Sequence, residues 1–233
     1  MNIVLFEAGE TGVPLILSDE RAQHILKVLR RGEGDSFDAG EIDGRRGKAI
    51  VRSIGEETLE LDFDLSIEEP ELHPVDLIVG LSRPQTNRKI LQEATSLGVR
   101  SIRFVLTERG EPSYAESKLW TSGEWRRHIV AGAAQAFTTR IPRISFGLSL
   151  EEAVGDFAAG ALKVALDNYE ASIALGSMET VGKAVALAIG SERGWTRGER
   201  ALLKGGGYTL AHLGPRPLRT ETAVVAGIAL LIR

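Results

Sequence analysis

Two glycine-rich loops in this sequence carry residue types suited to holding a small ligand. The apolar run Ala184–Ile189 leads into Gly190-Ser191-Glu192-Arg193-Gly194-Trp195-Thr196. The run Tyr208–Leu213 leads into Gly214-Pro215-Arg216-Pro217-Leu218-Arg219-Thr220-Glu221-Thr222-Ala223, which opens the last apolar helix. Glycine lets a backbone approach a flat ligand closely, and Thr220 with Glu221 can cap and charge-match a helix start. Two such loops after consecutive strands lie where open α/β sheets bind ligands. The same residues would also make two ordinary turns and a capped helix, and residue types alone leave both readings standing.

Other chemistries find little footing. His24, His73, His128 and His212 are scattered without metal-ligand spacing, so no metal site is expected. No G-x-G-x-x-G follows a strand-like run. Lys204-Gly205-Gly206-Gly207 follows a helical stretch and lacks the G-K-[ST] ending of a P-loop, so it reads as a helix stop.

The elements that must position the loops show a change of rhythm along the chain. Ser18 to Arg30 reads as a helix capped by Ser18, with Ala22, Ile25, Leu26 and Leu29 on its apolar face. Asp43-Gly44 marks a hairpin turn between strands near Ser36–Glu41 and Lys48–Ile54. Leu59, Leu61, Phe63 and Leu65 alternate with polar residues as in a half-buried strand. This β-rich unit closes near the acidic, proline-bearing stretch Glu68-Glu69-Pro70-Glu71. Strands then alternate with helices: Val75–Leu81, Ile102–Leu106, Arg143–Phe146, Leu162–Leu166, Ala184–Ile189 and Tyr208–Leu213. A helix over Asn87–Leu97 stops at Gly98. Near-continuous apolar strands predict a mostly parallel sheet covered on both faces, giving a small β domain over residues 1–71 and an α/β domain over 72–233.

Composition narrows the class further. The 233 residues are 43% hydrophobic and 26% charged, an ordinary globular balance. No cysteine is present, which rules out disulfides, thiolate metal sites and cysteine nucleophiles and fits a cytoplasmic setting. The first ten residues hold no basic segment of a signal peptide, and the run Ala223–Ile232 is shorter than a bilayer span. Net charge is −4, but it is unevenly spread. Residues 1–72 hold 8 basic and 17 acidic residues, and residues 73–233 hold 20 and 15. The eight basic residues of the first part form two clusters, Arg21, Lys27, Arg30 and Arg31, then Arg45, Arg46, Lys48 and Arg52. Segregation of this kind can make a local basic face on an acidic protein; two solvated patches are the plainer alternative.

Leu213-Gly214-x-x-x-Leu218-Arg219-Thr220-Glu221-Thr222-Ala223 closely resembles the signature of the small-subunit (16S) ribosomal RNA uridine-N3 methyltransferases, a branch of the SPOUT class of knotted methyltransferases. The resemblance covers nearly the whole chain. His24-x-x-x-Val28-Leu29-Arg30 followed by Gly34-Asp35 is similar to the family's PUA-like N-terminal domain. Glu93-Ala94-Thr95-x-Leu97-Gly98-Val99 and the segment Gln135 through Arg140 to Pro142 match in the same order. Two departures stand out: where the family reads I-G-P-E-G-G, this chain has Ile189-Gly190-Ser191-Glu192-Arg193-Gly194. Ser96 also replaces a glutamate of the family's helix.

The resemblance implies a PUA-like RNA-binding β-barrel before a SPOUT domain with a C-terminal trefoil knot, working as a homodimer on ribosomal RNA of the small subunit. The implied cofactor is S-adenosylmethionine, held in a bent form by loops starting at Leu166, at Ile189, Gly190 and Gly194, and at Leu213, Gly214, Leu218 and Thr220. Glu221 or Glu192 is the implied base for the uridine N3 proton, and Arg219 the implied stabiliser or RNA clamp. Arg219 and Glu221 could instead simply pair to fix the fold. His24, Lys27, Arg30, Arg31, Arg45 and Arg46 are the implied RNA contacts. A SPOUT enzyme acting on another base or a ribose 2′-hydroxyl of rRNA or tRNA is one rival reading. A catalytically silent RNA-binding assembly protein, with Arg193 blocking the cofactor loop, is the other.

Overall fold

A computed structural model describes residues 2–155, 157, 160–180 and 182–232 of the chain. These fall into two compact units, one formed by residues 1–71 with 133–141 and the other by 72–132 with 142–233. The segment 133–141, which the sequence reading placed with the α/β domain, groups with the front unit.

The front unit is a five-stranded sheet in the order β1 (Val4–Phe6), β3 (Ser36–Glu41), β4 (Arg46–Ile54), β5 (Thr58–Ile67) and β2 (Leu15–Ile16). Only β1 and β3 pair in parallel. The alternation along β5 buries Leu59 fully and turns Leu61, Phe63 and Leu65 inward, while Asp62 and Asp64 stay in water. Phe6 meets Phe63 edge-on at 4.9 Å, and Ile25, Phe37 and Val51 complete the core. Asp43 takes φ 58° in the β3–β4 connection. Segment 133–141 secures that turn: Thr139 Oγ1 donates to the Gly44 carbonyl at 2.7 Å and Arg140 Nη1 to that of Asp43 at 3.0 Å.

The predicted helix over 18–30 is shorter and differently built. Its α-helical turn α1 (Glu20–Gln23) is capped by Asp19, whose side chain accepts from the Arg21 N–H, so Asp19 and not Ser18 is the cap. A π-helical turn, His24–Val28, follows, and Arg30 at φ 53° ends it. Arg31 therefore lies past the helix and does not share a helical face with His24 and Lys27.

Among the described residues the back unit holds seven strands, all paired in parallel, in the order β10-β12-β9-β11-β6-β7-β8. In chain order they are β6 (His73–Gly80), β7 (Val99–Leu106), β8 (Arg143–Ser149), β9 (Leu162–Leu166), β10 (Ile173–Ala174), β11 (Val185–Ile189) and β12 (Thr209–His212). The helices are α2 (Pro84–Ser96), α3 (Lys118–Thr121), α4 (Glu124–Gln135), α5 (Leu150–Val154), α6 (Arg197–Gly205) and α7 (Thr220–Leu231). Every residue of β11 is buried, as a strand covered on both faces requires. Ala186 and Ala188 share a core with Leu150, Ala153 and Leu203 of α5 and α6. Leu187 lies on the opposite face against Gly227 of α7, where a Cβ would come within 3.1 Å of it. Among the described residues no helix is long and apolar enough to cross a membrane.

The two glycine stops behave as the sequence predicts. Gly98 takes φ 72° just after α2, and Gly206 and Gly207 close α6. The start of α7 differs: Arg219 is the N-cap, without a side-chain cap bond, and Thr220 is the first helical residue and buried. An extended Arg219 (ψ 151°) turns the chain into the helix one residue earlier than a Thr220 cap would.

Candidate active site

Because the strands of the back unit are all parallel, the loops leaving β6, β7, β9, β11 and β12 emerge at one end of the sheet. They enclose a cleft of about 960 Å³. That volume lies at the upper end of the roughly 300–1,000 Å³ typical of small-molecule sites.

The sequence-predicted residues of this unit converge there. Leu166, Ile189, Gly190 and Gly194 line the cleft, as do Leu213, Leu218 and Thr220. Glu192, Arg219 and Glu221 line it too. Gly214 is the exception; it sits beside the cleft at φ 115° and donates its N–H to His212 Nδ1 at 3.1 Å.

Each loop is held by an identifiable bond. Leaving β11, the chain makes a turn in which the Gly194 N–H donates to the Ser191 carbonyl at 2.8 Å. Gly190 lets the turn close tightly, since a Cβ there would crowd the Gly194 backbone at 3.1 Å. Gly80, the last residue of β6, is needed beneath it, since a Cβ would lie 2.3 Å from the Ser191 nitrogen. Trp195, fully buried, donates its indole N–H to the Leu166 carbonyl at 3.0 Å, joining the β9 and β11 exits. Buried Asp167 accepts from the N–H groups of Tyr169 and Glu170 at 2.8 and 2.6 Å. Arg200 donates to both Asp167 (3.3 Å) and the Trp195 carbonyl (2.7 Å), which fixes the same corner from α6. Hydrogen bonds from Lys204 and then Arg200 hold the Glu170 carboxyl below the ordinary carboxylate range.

The two candidate carboxylates differ in their surroundings. Glu192 accepts from the backbone N–H of Arg83 at 3.1 Å, a donor at the N-cap of α2 that has no side-chain cap of its own. Glu221, with a side chain 18% exposed, is met by Lys89 Nζ at 3.4 Å. Arg219 is exposed and, among the described residues, has no carboxylate partner.

Arg83, Lys89, Arg109, Asp167, Tyr169 and Arg216 also line the cleft and were not anticipated. Arg83 and Lys89 belong to the β6 exit and Arg109 to the β7 exit. The available signal was the parallel pattern itself, which brings every strand's C-terminal end to the same side.

In the front unit, Lys27, Arg30 and Arg31 are exposed and His24 is half-buried. The second basic cluster is compensated by acids. Arg45 pairs with Glu68 at 2.7 Å, Arg46 with buried Glu69, Lys48 with Asp38 at 2.7 Å, and Arg52 with Asp62 at 3.9 Å. Arg46 also lies over the Phe137 ring at 5.3 Å. Among the described residues no group of three or more His, Asp or Glu could hold a metal ion.

Comparisons with known proteins agree along the chain. A family model described as an RNA methyltransferase domain matches residues 68–232, and one described as an RNA methyltransferase PUA domain matches 17–64. The ribosomal RNA small subunit methyltransferase E of Treponema pallidum is 37% identical, over 100% of this chain and 91% of its own length. The methyltransferase E 1 of Borreliella burgdorferi is 29% identical over 97% and 95%. The crystal structure of the methyltransferase E of Neisseria gonorrhoeae bound to S-adenosyl methionine is similar with a TM-score of 0.80 and 25% identity, covering 98% of this chain and 95% of that one.

Proposed function

The chain belongs to the small-subunit ribosomal RNA methyltransferase E family, and from that premise we propose that it methylates N3 of a uridine in 16S RNA with S-adenosylmethionine as donor. The observation that carries this reading is the convergence of the β9, β11 and β12 exits, with Glu192, Arg219 and Glu221, on one cleft. The residues present suit the donor. Leu166, Ile189, Leu213 and Leu218 offer an aliphatic wall, the Gly190–Gly194 turn offers close backbone approach, and carboxylates stand ready for a cationic group. When bound, the donor supplies an electrophilic methyl group.

The chain's own work is placement and proton handling. A uridine N3 is a poor nucleophile until its imide proton leaves. Glu221 is the base in this reading: Glu192 accepts the Arg83 backbone N–H at 3.1 Å, whereas the contact of Glu221 is the longer one, 3.4 Å, to the flexible Lys89 side chain. Arg219 stabilises the negative charge that develops on the uracil carbonyl oxygens. Mass spectrometry of nucleosides from small-subunit RNA, after incubation with the protein and labelled donor, tests the reading. Label on N3-methyluridine is expected; label on a ribose or on another base would replace it with one of the rival enzymes, and no label at all would favour a silent binder.

The C-terminal trefoil knot is part of the same proposal, supported by β12 lying between β9 and β10 although it follows both in sequence. So is a homodimer. Of the apolar residues of α7, Val224, Ile228 and Leu231 are buried, while Val225, Ala226, Ala229 and Leu230 keep exposed surface. Light scattering at micromolar concentration is expected to give twice the chain mass, and Leu230→Glu to shift it to one; a wild-type monomer with full activity would end this part of the proposal.

We also assign RNA docking to the front unit, a domain from residues 1 to 71 completed by 133–141. Lys27, Arg30 and Arg31 carry it more than Arg45 and Arg46, whose charges are matched by Glu68 and Glu69. The double change Lys27→Ala with Arg31→Ala is expected to weaken RNA binding roughly tenfold and to lower the salt slope by about two, as two lost phosphate contacts would. Arg45→Ala should change both far less; the reverse order would reassign the docking face.

A further inference from the structure

We propose that Arg109 and Arg193 form a two-guanidinium fork at the rim of the cleft that grips one backbone phosphate of the RNA substrate. The inference deepens the methyltransferase reading and rests on it.

The fork is built by loops 84 residues apart. Arg109 Nη1 donates to the Arg193 carbonyl at 3.3 Å, and Arg193 Nη1 donates to the Arg109 carbonyl at 3.5 Å. Each guanidinium thus uses one N–H on the other residue's backbone and keeps further donors for a ligand. Neither has a carboxylate within ion-pair distance among the described residues. Elsewhere in the chain Arg88, Arg100 and Arg200 each hold one. Two uncompensated cations on neighbouring loops repel each other, and a shared anion relieves that repulsion. A planar pair of guanidinium forks matches the two non-bridging oxygens of a phosphodiester better than point-like ammonium groups would.

The platform under the fork is rigid. Thr107 Oγ1 donates to Ser191 Oγ at 3.2 Å, with both residues buried. The Glu108 N–H donates to Glu199 Oε1 at 2.8 Å, and the Gly110 N–H to the Thr107 carbonyl at 2.9 Å. Ser191 and Arg193 are the two positions at which this chain departs from the family-like loop, which has proline and glycine there. A proline could not make the hydroxyl bond to Thr107, and a glycine could not supply the second guanidinium. The two departures therefore act together, one anchoring the turn and the other arming it. Apart from the fork the cleft is lined by four basic and four acidic side chains, so the excess positive charge of its lining is that of Arg109 and Arg193 themselves.

The test uses the full chain, with a small-subunit RNA fragment as the binding probe and calorimetry for the donor. Arg193→Gly is expected to weaken RNA binding roughly tenfold and to reduce the salt slope by about one. Arg109→Ala should do the same, and Arg193→Lys should recover part of the loss without the two-pronged contact. Affinity for S-adenosylmethionine should stay within about twofold in all three, each first checked by its melting temperature. If a variant melts early, the other two decide. Unchanged RNA affinity and slope in folded variants would overturn the proposal. A loss of donor affinity as large as the loss of RNA affinity would assign the fork to the donor's carboxylate instead. Binding is read without catalysis, so a wild type that binds RNA yet transfers no methyl group refutes the activity and leaves the fork to be judged separately.

Discussion

Glu221→Gln is expected to lower the single-turnover rate of methyl transfer, at saturating RNA and donor, by roughly 10²-fold or more. The change keeps the shape of the side chain and its capacity to accept from Lys89, which now sits 3.4 Å away. It removes the ability to take the imide proton, an interaction that matters only on the way to the transition state. Donor affinity should therefore stay close to wild type. Arg219→Ala should lower the rate by a comparable factor through loss of charge stabilisation. Glu192→Gln should behave differently. Its carboxylate accepts the Arg83 N–H at 3.1 Å, so a neutral amide can keep the contact and most of the rate. A Glu192→Gln variant slower than Glu221→Gln would exchange the two roles. Wild-type rates in both variants would remove carboxylate catalysis from the proposal altogether.

Trp195→Ala is expected to destabilise the back unit by about 3–5 kcal/mol, the range for emptying a large aromatic site in a core. Chemical denaturation reads this directly. Trp195 is fully buried and shares a core cluster with Ile78, Val105 and Leu203. The more informative variant is Trp195→Phe. It keeps most of the packing and deletes one hydrogen bond, leaving the Leu166 carbonyl without its 3.0 Å partner, at a cost of about 1–3 kcal/mol. Because that bond ties the β9 exit to the β11 exit, donor affinity should fall along with stability. A Trp195→Phe protein that loses stability but binds the donor normally would show that the two walls are fixed by other contacts, Arg200 among them.

Much of this protein was legible in its residue order. The parallel character of the back sheet followed from strands too apolar to have a wet face, and β11 is buried throughout. The β3–β4 turn with Asp43 at φ 58° and the stops at Gly98 and Gly207, both at positive φ, followed from backbone conformations that few other residues adopt. The positions of the two glycine-rich loops followed as well, because a loop after a parallel strand has only one end of the sheet to occupy. These features are local, or depend on a single periodicity.

What the tertiary structure alone decided is which distant groups meet. Nothing in the neighbourhood of Glu192 marks it as the partner of Arg83, 109 positions away, or separates its part from that of Glu221. The charge count made Arg45 and Arg46 look available, yet pairing with Glu68 and Glu69, just past the end of β5, spends their charge. Ser191 and Arg193 read only as departures from a family-like loop until the β7 exit is set beside them, where Thr107 and Arg109 give both a partner. The helix at 18–30 was only half legible: local apolar spacing favours a plain α-helix with Ile25 inward, and Ile25 is indeed in the front core, but the π turn His24–Val28 and the left-handed Arg30 are not marked in the local sequence. Local order selects backbone conformations through short-range sterics, whereas the balance of charges and the division of labour within a site arise from contacts between segments that only the folded sheet brings together.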